Sequence, residues 1–221
     1  VSSMDRQDRL IVKSTVSVQE ARPRLPRASQ IYVDAKRVFD CLIAVIGLTL
    51  SMPIMILFSI LIKLESPGPI LFAQERVGLH GKVFRIYKLR SMVKDAEKNG
   101  AKWAEKNDAR ITKIGKFIRN TRIDELPQFI NVLKGDMSFI GPRPERPVFV
   151  EQFAREIPGF KDRQQVKPGI TGWAQVNGGY DITPQQKLAL DLEYIEHFSF
   201  WMDVKIILKT VKVVITGDGA R

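Results

Sequence analysis

Sulfur and imidazole are scarce in these 221 residues. The single cysteine, Cys41, can form no intrachain disulfide, and two histidines, His80 and His197, are too few for a zinc cluster. The fold is therefore stapled by neither sulfur nor zinc. No GxGxxG fingerprint, Walker A sequence or Ser-His-Asp set occurs, which removes the enzyme classes built on those motifs. There is no helix-turn-helix or RNP pattern, so a nucleic-acid module is not expected although the charge would suit one. No internal repeat or low-complexity tract appears, and the length fits one compact core with peripheral segments rather than a multidomain machine.

Cations and one long apolar run are what the chain does have. Lys and Arg number 35 against 24 Asp and Glu, a net charge of +11 that points to an anionic partner: a nucleotide, a phosphate or anionic lipid. Residues 41–62 (CLIAVIGLTLSMPIMILFSILI) are 22 consecutive positions without a charge, between Asp40 and Lys63. As a helix this run would rise roughly 33 Å, about the thickness of a hydrocarbon core. A signal peptide is not expected, because the run starts well into the chain and no small-residue cleavage site follows.

Two features argue against a simple span. Pro53, near the middle, has no N–H for the Thr49 carbonyl and should break the helix, with the hydroxyls of Ser51 and Thr49 on hand for the freed backbone groups. Both flanks are basic: Arg22, Arg24, Arg27, Lys36 and Arg37 before the run, and Lys63, Arg76, Lys82, Arg85, Lys88 and Arg90 after it. A span shows such an excess on one side, so a re-entrant helix-break-helix that enters and leaves by the cytoplasmic leaflet is the expectation. A Pro-kinked single span is the alternative.

The fold class expected is α/β, mostly α. Residues 1–30 read as a flexible leader, 31–64 as the re-entrant membrane helix, and 65–221 as a small membrane-associated catalytic domain. Turn chemistry at 65–69 precedes two short strands, 70–72 and 83–87, around a turn at 78–81. A polar helix is expected over 92–106 and an amphipathic one over 111–119. Thr183, Pro184 and Gln186 form a capping box ahead of a helix carrying Leu188, Leu192 and Ile195, and Asp203 opens another. In that last helix Lys205, Lys209 and Lys212 share a face while Ile206, Ile207, Val211, Val214 and Ile215 cover the rest, as suits an interfacial helix on anionic lipid or one packed on the core. Phe198, Phe200 and Trp201 would sit at headgroup depth.

Chemistry concentrates in residues 119–135, RNTRIDELPQFINVLKG. Leu126, Phe129, Ile130 and Leu133 give one apolar helical face, Pro127 suits a first turn and Gly135 a C-terminal stop, which places Asp124 as the N-cap. A carboxylate there should stay ionised, favoured by the helix dipole. Asp124 and Glu125 point about 100° apart on a helix, so their jobs differ: one could attack phosphorus while the other positions a metal or a proton. An acid at a helix start is by itself more commonly a cap than a nucleophile. Basic company shifts that weighing: Lys88 and Arg90 in YKLRSM, Arg119 and Arg122 before the acids, and Arg143 between Pro142 and Pro144, whose fixed φ pre-organises a phosphate-gripping guanidinium. The glycines of KPGITGWAQVNGG (167–179) would let backbone approach a ligand, or simply form a loop.

The string formed by Phe39 and Asp40, the Pro53 helix, YKLRSM, IDELPQFINVLKGDMSFIGPRP and KPGITGWAQVNG resembles the bacterial sugar transferases, the monotopic polyprenyl-phosphate phosphoglycosyl transferase superfamily, over residues 31–216. The resemblance implies transfer of a sugar-1-phosphate from a UDP-sugar to undecaprenyl (polyprenyl) phosphate with release of UMP, through a covalent aspartyl-phosphosugar, with Mg²⁺. It implies the first step of an exopolysaccharide, capsule or lipopolysaccharide, at the cytoplasmic face of a bacterial inner membrane with both termini cytosolic. Asp124 and Glu125 would be the catalytic and metal-binding pair, and Lys88, Arg90, Arg119, Arg143 and Lys167 the substrate-binding cations. Ser51 and Pro53 would form the membrane break, although Met52 stands where some members place Ser. Anionic lipid and a homo-oligomer are compatible partners. A membrane adaptor without catalysis would need no acid pair at a helix start.

Overall fold

The computed structural model describes residues 29–96, 98, 108–178 and 182–216. Nearly all of the expected leader, and 97 and 99–106 of the expected polar helix, lie outside these residues. Among the described residues the fold is mostly helical, with two small two-stranded sheets.

Helix α1 (Ser29–Glu65) is 37 residues long, and within it residues 31–65 are long and apolar enough to cross a membrane. Only 11% of its most apolar stretch is buried within the protein, so this is no core helix of a soluble domain. Val38, Leu42, Val45, Ile46, Leu50, Ile56, Leu57 and Ile60 are among the many side chains left exposed, a face that matches lipid rather than water. Helical residues continue on both sides of Pro53, so the helix does not end at the proline. The hydroxyls do not stand in for the missing donor either. Thr49 Oγ1 donates to Val45 O at 2.9 Å and Ser51 Oγ to Leu48 O at 3.4 Å, which braces the turn before the proline. One lost bond in so long a ladder is tolerable where the helix is held elsewhere, as it is here at both ends and in the middle.

Near its start, Lys36 and Tyr32 donate to the Asp203 carboxylate, which also accepts from Tyr194 Oη at 2.9 Å. Asp203 and Lys36 are both buried, so removing either would leave an uncompensated charge at a cost of about 3–5 kcal/mol. At the other end Arg90 donates to the carbonyl of Ile62 in the last turn of the helix and to those of Ser66 and Pro67 just beyond it. Glu65 in turn accepts from the N–H groups of Lys113 (2.7 Å) and Ile114 (3.0 Å) at the start of α2 (Lys113–Asn120).

Strands β1 (Leu71–Val77) and β2 (Val83–Leu89) form an antiparallel hairpin, longer than the sequence pattern suggested because Gln74, Glu75 and Arg76 continue the pairing. Where a polar helix was expected, Met92 instead bridges Ile111 and 94–96 form a turn. After α2 come a 3-10 turn (Ile123–Glu125), α3 (Gln128–Lys134), β3 (Ser138–Ile140) and α4 (Pro147–Glu156). A second 3-10 turn (Phe160–Gln165) leads to β4 (Gly169–Thr171), parallel to β3, then α5 (Trp173–Gly178), α6 (Pro184–Glu196) and α7 (Phe200–Thr216). The capping box at Thr183 and Gln186 is present.

The main core joins Ile140, Trp173, Tyr194, Ile195, Phe198, Met202 and Ile206. Phe198 is thus a core residue and not a headgroup anchor, whereas Phe200 and Trp201 are exposed. Helix α7 does two jobs: Met202 and Ile206 pack inward, and Leu208, Val211 and Val214 face out. Lys205 and Lys209 lie over the Trp173 ring, 4.7 and 4.6 Å from its centroid, instead of reaching away from the domain.

Gly169 and Gly172 of the 167–179 segment serve backbone packing. A Cβ on Gly169 or Gly172 would collide with the backbone of Gly141, and one on Gly141 with the Lys167 carbonyl. Gly141 precedes the Pro142–Arg143–Pro144 turn, so the parallel β3–β4 pair sets where that turn begins. Gly141→Ala should cost about 1–3 kcal/mol by overpacking. That lowers the melting temperature by several degrees, measured by thermal unfolding of the detergent-solubilised protein; an unchanged midpoint would contradict this packing.

Candidate active site

The acid pair lies on the 3-10 turn between α2 and α3, and not at the N-cap of an α-helix as the sequence suggested. Pro127 takes the position before α3, so the polypeptide makes one tight turn and then a second, longer one. The preceding Arg122 has φ 59°, a left-handed conformation that costs a non-glycine residue on the order of 1–3 kcal/mol. This bend turns Asp124 inward, leaving it 7% exposed.

Helix α3 that follows is fastened to two neighbours, β2 and α1. Asn131 donates from Nδ2 to Arg85 O at 2.7 Å and accepts from Tyr87 N at 3.0 Å, tying α3 to β2. Arg37 of α1 donates to Val132 O (2.5 Å) and Leu133 O (2.8 Å), the acceptors left over at the end of α3, and Gly135 closes it at φ 85°. The Phe129 ring sits on Gly47 of α1, where any Cβ would fall 2.7 Å from the ring. The turn bearing the acids is therefore placed by helix α1 itself.

Around the acids, β2 contributes Lys88, α2 contributes Arg119, and the turn after β3 contributes Arg143. Lys88 Nζ is 2.7 Å from Glu125 Oε1 and 3.8 Å from Asp124 Oδ2. Arg143 grips Glu125 with two nitrogens, Nη1 donating to Oε2 at 3.2 Å and Nη2 to Oε1. Both Glu125 oxygens are thus engaged. Arg119 has no ion-pair partner of its own among the described residues, but its charge acts on Asp124.

Neighbouring carboxylates are driven in opposite directions. Burial pushes the Asp124 carboxyl up to about 6, against the pull of Lys88, with the Glu125 charge adding to the rise. For Glu125 burial acts the same way, but Arg143 and Lys88 overcome it and hold the group well below the ordinary glutamate range. The expectation that a helix dipole keeps Asp124 fully ionised is corrected: burial dominates, and no α-helix starts at this residue. A carboxylate that ionises near 6 is a better base and nucleophile than an ordinary aspartate, yet is still charged at neutral pH.

Of the expected substrate cations, Lys88, Arg119 and Arg143 converge here. Arg90 is occupied elsewhere, 6% exposed, with its guanidinium on carbonyls in the last turn of α1 and just beyond it. Lys167 stands at the far end of α3, its Nζ 3.8 Å from where a Cβ on Gly135 would be, and burial and the Arg37 charge pull it below the ordinary lysine range. The sequence reading missed Arg37 and Asn131, which place α3, and a group of buried charges behind Arg143: Arg76, Glu145, Arg163, Lys187 and Asp191. A signal existed for the last of these, because Asp191 falls in the apolar stripe of α6 with Leu188 and Ile195.

No group of three or more His, Cys, Asp or Glu side chains able to cage a metal occurs among the described residues. The donors present fit Mg²⁺ only as it commonly binds in phosphate sites, through one or two carboxylates with substrate oxygens and water completing the shell. Asp124 suits that role. Glu125 could join only by yielding a contact to Lys88 or Arg143.

A buried carboxylate flanked by cations, beside a long helix with an exposed apolar face, is an arrangement suited to binding phosphate. Residues 31–217 match the family described as bacterial sugar transferase, and the chain belongs to it. It is 54% identical, over 87% of its own length and 46% of the relative's, to the UDP-N-acetylgalactosamine-undecaprenyl-phosphate N-acetylgalactosaminephosphotransferase of Aeromonas hydrophila. It is 56% identical over 72% of its length to a Bacillus subtilis protein, covering 90% of it, whose name provisionally assigns it N-acetylgalactosaminyl 1-phosphate transfer to undecaprenyl phosphate. The UDP-glucose:undecaprenyl-phosphate glucose-1-phosphate transferase of Escherichia coli is 44% identical over 80% of this chain and 39% of its own. The chain thus spans less than half of the Aeromonas and Escherichia proteins.

The opposed behaviour of the two acids can be read directly. Carbon-detected carboxyl titration should place Asp124 near 6. Lys88→Met should move it upward and Glu125→Gln downward, because the first removes a favourable charge and the second an unfavourable one. An Asp124 value near that of an exposed aspartate, or one indifferent to both changes, would refute the assignment.

Proposed function

We propose that this chain transfers a sugar-1-phosphate from a UDP-sugar to undecaprenyl phosphate, giving the polyprenyl-diphospho-sugar and UMP, as the first step of an extracellular polysaccharide or glycoconjugate. The relatives' names supply the substrate classes, and one observation carries the chemistry: Asp124 is buried, raised to about 6 and flanked by Lys88, Arg119 and Arg143.

In the first half-reaction an Asp124 oxygen attacks the phosphorus that bears the sugar. The bond to the bridging oxygen of the diphosphate breaks and UMP leaves. In the second, an oxygen of the lipid phosphate attacks the same phosphorus and Asp124 departs as a carboxylate. Lys88, Arg119 and Arg143 offset the charge that collects on the phosphoryl oxygens, an electrostatic contribution that is worth most in a site shielded from water. Glu125 holds Lys88 and Arg143 in place by its own pairing. Bound Mg²⁺, with Asp124 and the donor phosphates as ligands, would supply further charge neutralisation there.

The membrane helix is read as re-entrant, with residues 65–221 as a catalytic domain on the cytoplasmic face and both flanks of the helix on that side. Basic residues flank α1 at each end. The same globular body also grips it near its start through Asp203, in the middle through Phe129 and at its end through Arg90. A helix crossing the bilayer would leave one of those grips on the wrong side. Anionic lipid of the inner leaflet suits the basic flanks. The exposed Trp201, Leu208 and Val214 of α7 and Phe117 of α2 would lie at the interface.

Incubation with radiolabelled UDP-N-acetylgalactosamine or UDP-glucose should trap a phosphosugar adduct on the wild-type chain, and UMP should appear in step with it. Asp124→Asn should abolish both, and chelation of divalent cations should suppress UMP release. The wild-type adduct rate should rise about tenfold per pH unit on the acid side and level off above about pH 6 as Asp124 ionises. An adduct on the Asp124→Asn chain sinks the nucleophile. Folded wild-type protein that releases no UMP from any UDP-sugar would favour a membrane adaptor.

A further inference from the structure

Behind Arg143 lies a set of buried charges that touch none of the reacting groups. The turn that carries Arg143 is held by its backbone: each of four successive carbonyls accepts a hydrogen bond. Pro142 O accepts from Gly169 N at 3.0 Å, Arg143 O from Arg163 Nη2 at 2.8 Å, Pro144 O from Arg76 Nη1 at 3.1 Å, and Glu145 O from Val77 N at 2.9 Å. Two of the four donors are guanidiniums. Of these Arg163 is the more deeply buried, at 4% exposed, and its other contacts are to Asp191, with Nε and Nη2 at 2.8 and 2.6 Å from Oδ2. Asp191 is itself 1% exposed, on the inward face of α6.

We propose that Arg163, fixed by Asp191, is a positioning residue that sets the aim of the Arg143 guanidinium. The inference rests on the catalytic reading of Arg143 given above. Proline on either side of Arg143 fixes two φ angles but leaves the peptide planes free to tilt, and a carbonyl anchored to a buried guanidinium removes that freedom. An ion pair this deep is weak evidence for stability, since apolar residues of similar volume do as well. Its geometric consequence is specific: Nη2 of Arg163 lies between the Asp191 carboxylate of α6 and the backbone carbonyl of the residue whose side chain clamps Glu125. Ordering a transition-state contact in this way costs nothing at the moment of reaction, and a displacement of about 1 Å at such a contact can cost on the order of a hundredfold in rate.

Arg163→Lys keeps the charge opposite Asp191 but cannot bridge to Arg143 O, and Arg143→Lys keeps the charge at the site but loses the two-pronged grip. In the full chain in nanodiscs, the rate constant of adduct formation from UDP-N-acetylgalactosamine or UDP-glucose is followed after rapid mixing. The burst amplitude counts competent sites, so poorly folded protein lowers the amplitude and leaves the rate constant intact. Arg163→Lys should slow the step by on the order of 10- to 100-fold. The double variant should be no slower than Arg143→Lys alone, because an aim already lost cannot be lost again. Asp191→Asn should behave as Arg163→Lys does. Multiplying effects in the double variant, or a wild-type rate in Arg163→Lys, overturns the positioning role and leaves Arg143 in the site. A wild-type rate in Arg143→Lys overturns both.

Discussion

The arrangement depends on Glu125 and its two cations. Lys88 and Arg143 arrive from a hairpin and from a proline-locked turn that are distant in sequence, and each would repel the other across the site. Glu125 sits between them, accepting from both, and is held ionised by them although its burial opposes ionisation. Without that carboxylate two neighbouring cations would face each other, and the turn and the strand would be pushed apart. With it they stay beside Asp124, whose own burial is only partly offset. One acid is thereby spent on structure, and the other keeps its reactivity.

The long apolar helix α1 is part of this geometry. Arg37 closes the end of α3, Gly47 receives Phe129, and the Ile62 carbonyl in the last turn of α1 accepts from Arg90, which lies two residues after Lys88 on the same polypeptide. A shift of α1 relative to the domain would therefore reach Asp124 through α3 and Lys88 through β2. Arg90 illustrates how a cation in a basic motif can serve the frame rather than the ligand: five donors in a fixed fork suit a cluster of carbonyls as well as a phosphate.

Local patterns were legible where local chemistry decides them. The apolar run, the capping box at Thr183 and the hairpin turn all follow from residue spacing, whereas the buried side of α3 is Gln128, Asn131 and Val132 and the expected face-former Ile130 is exposed. The Asp-Glu pair and three of its cations were legible because they recur in a family whose motifs are long. Burial was not legible. Sequence suggested that Asp124 is a solvent-side cap, and the left-handed Arg122 that turns it inward has no compositional signal, since arginine is no favoured residue for that conformation. Gly169 and Gly172 read as room for a ligand or as a plain loop, and they are room for the backbone of Gly141, because parallel pairing of β3 with β4 is a contact between segments about thirty residues apart. Pro53 read as a break, yet helical residues continue on both sides of it, one lost bond being a small part of so long a ladder.

In the proposed reaction, charge bookkeeping would let one site serve a soluble donor and a lipid acceptor in turn. Three cations, Lys88, Arg119 and Arg143, face two carboxylates, so the free site with Asp124 ionised carries a net charge of +1. Esterifying Asp124 with a phosphosugar removes the carboxylate charge and brings one phosphate charge, so after UMP leaves the sum is again +1. The lipid phosphate thus approaches the same field that the diphosphate met, and no rearrangement of side chains is needed between half-reactions. A neutral nucleophile such as serine, once phosphorylated, would carry one more negative charge than the free site and would repel the second anion more than the first. An ionised aspartate avoids that asymmetry, because it gives up one negative charge as it takes on the phosphate's, which is a physical reason for a carboxylate to stand where donor and acceptor are both anionic.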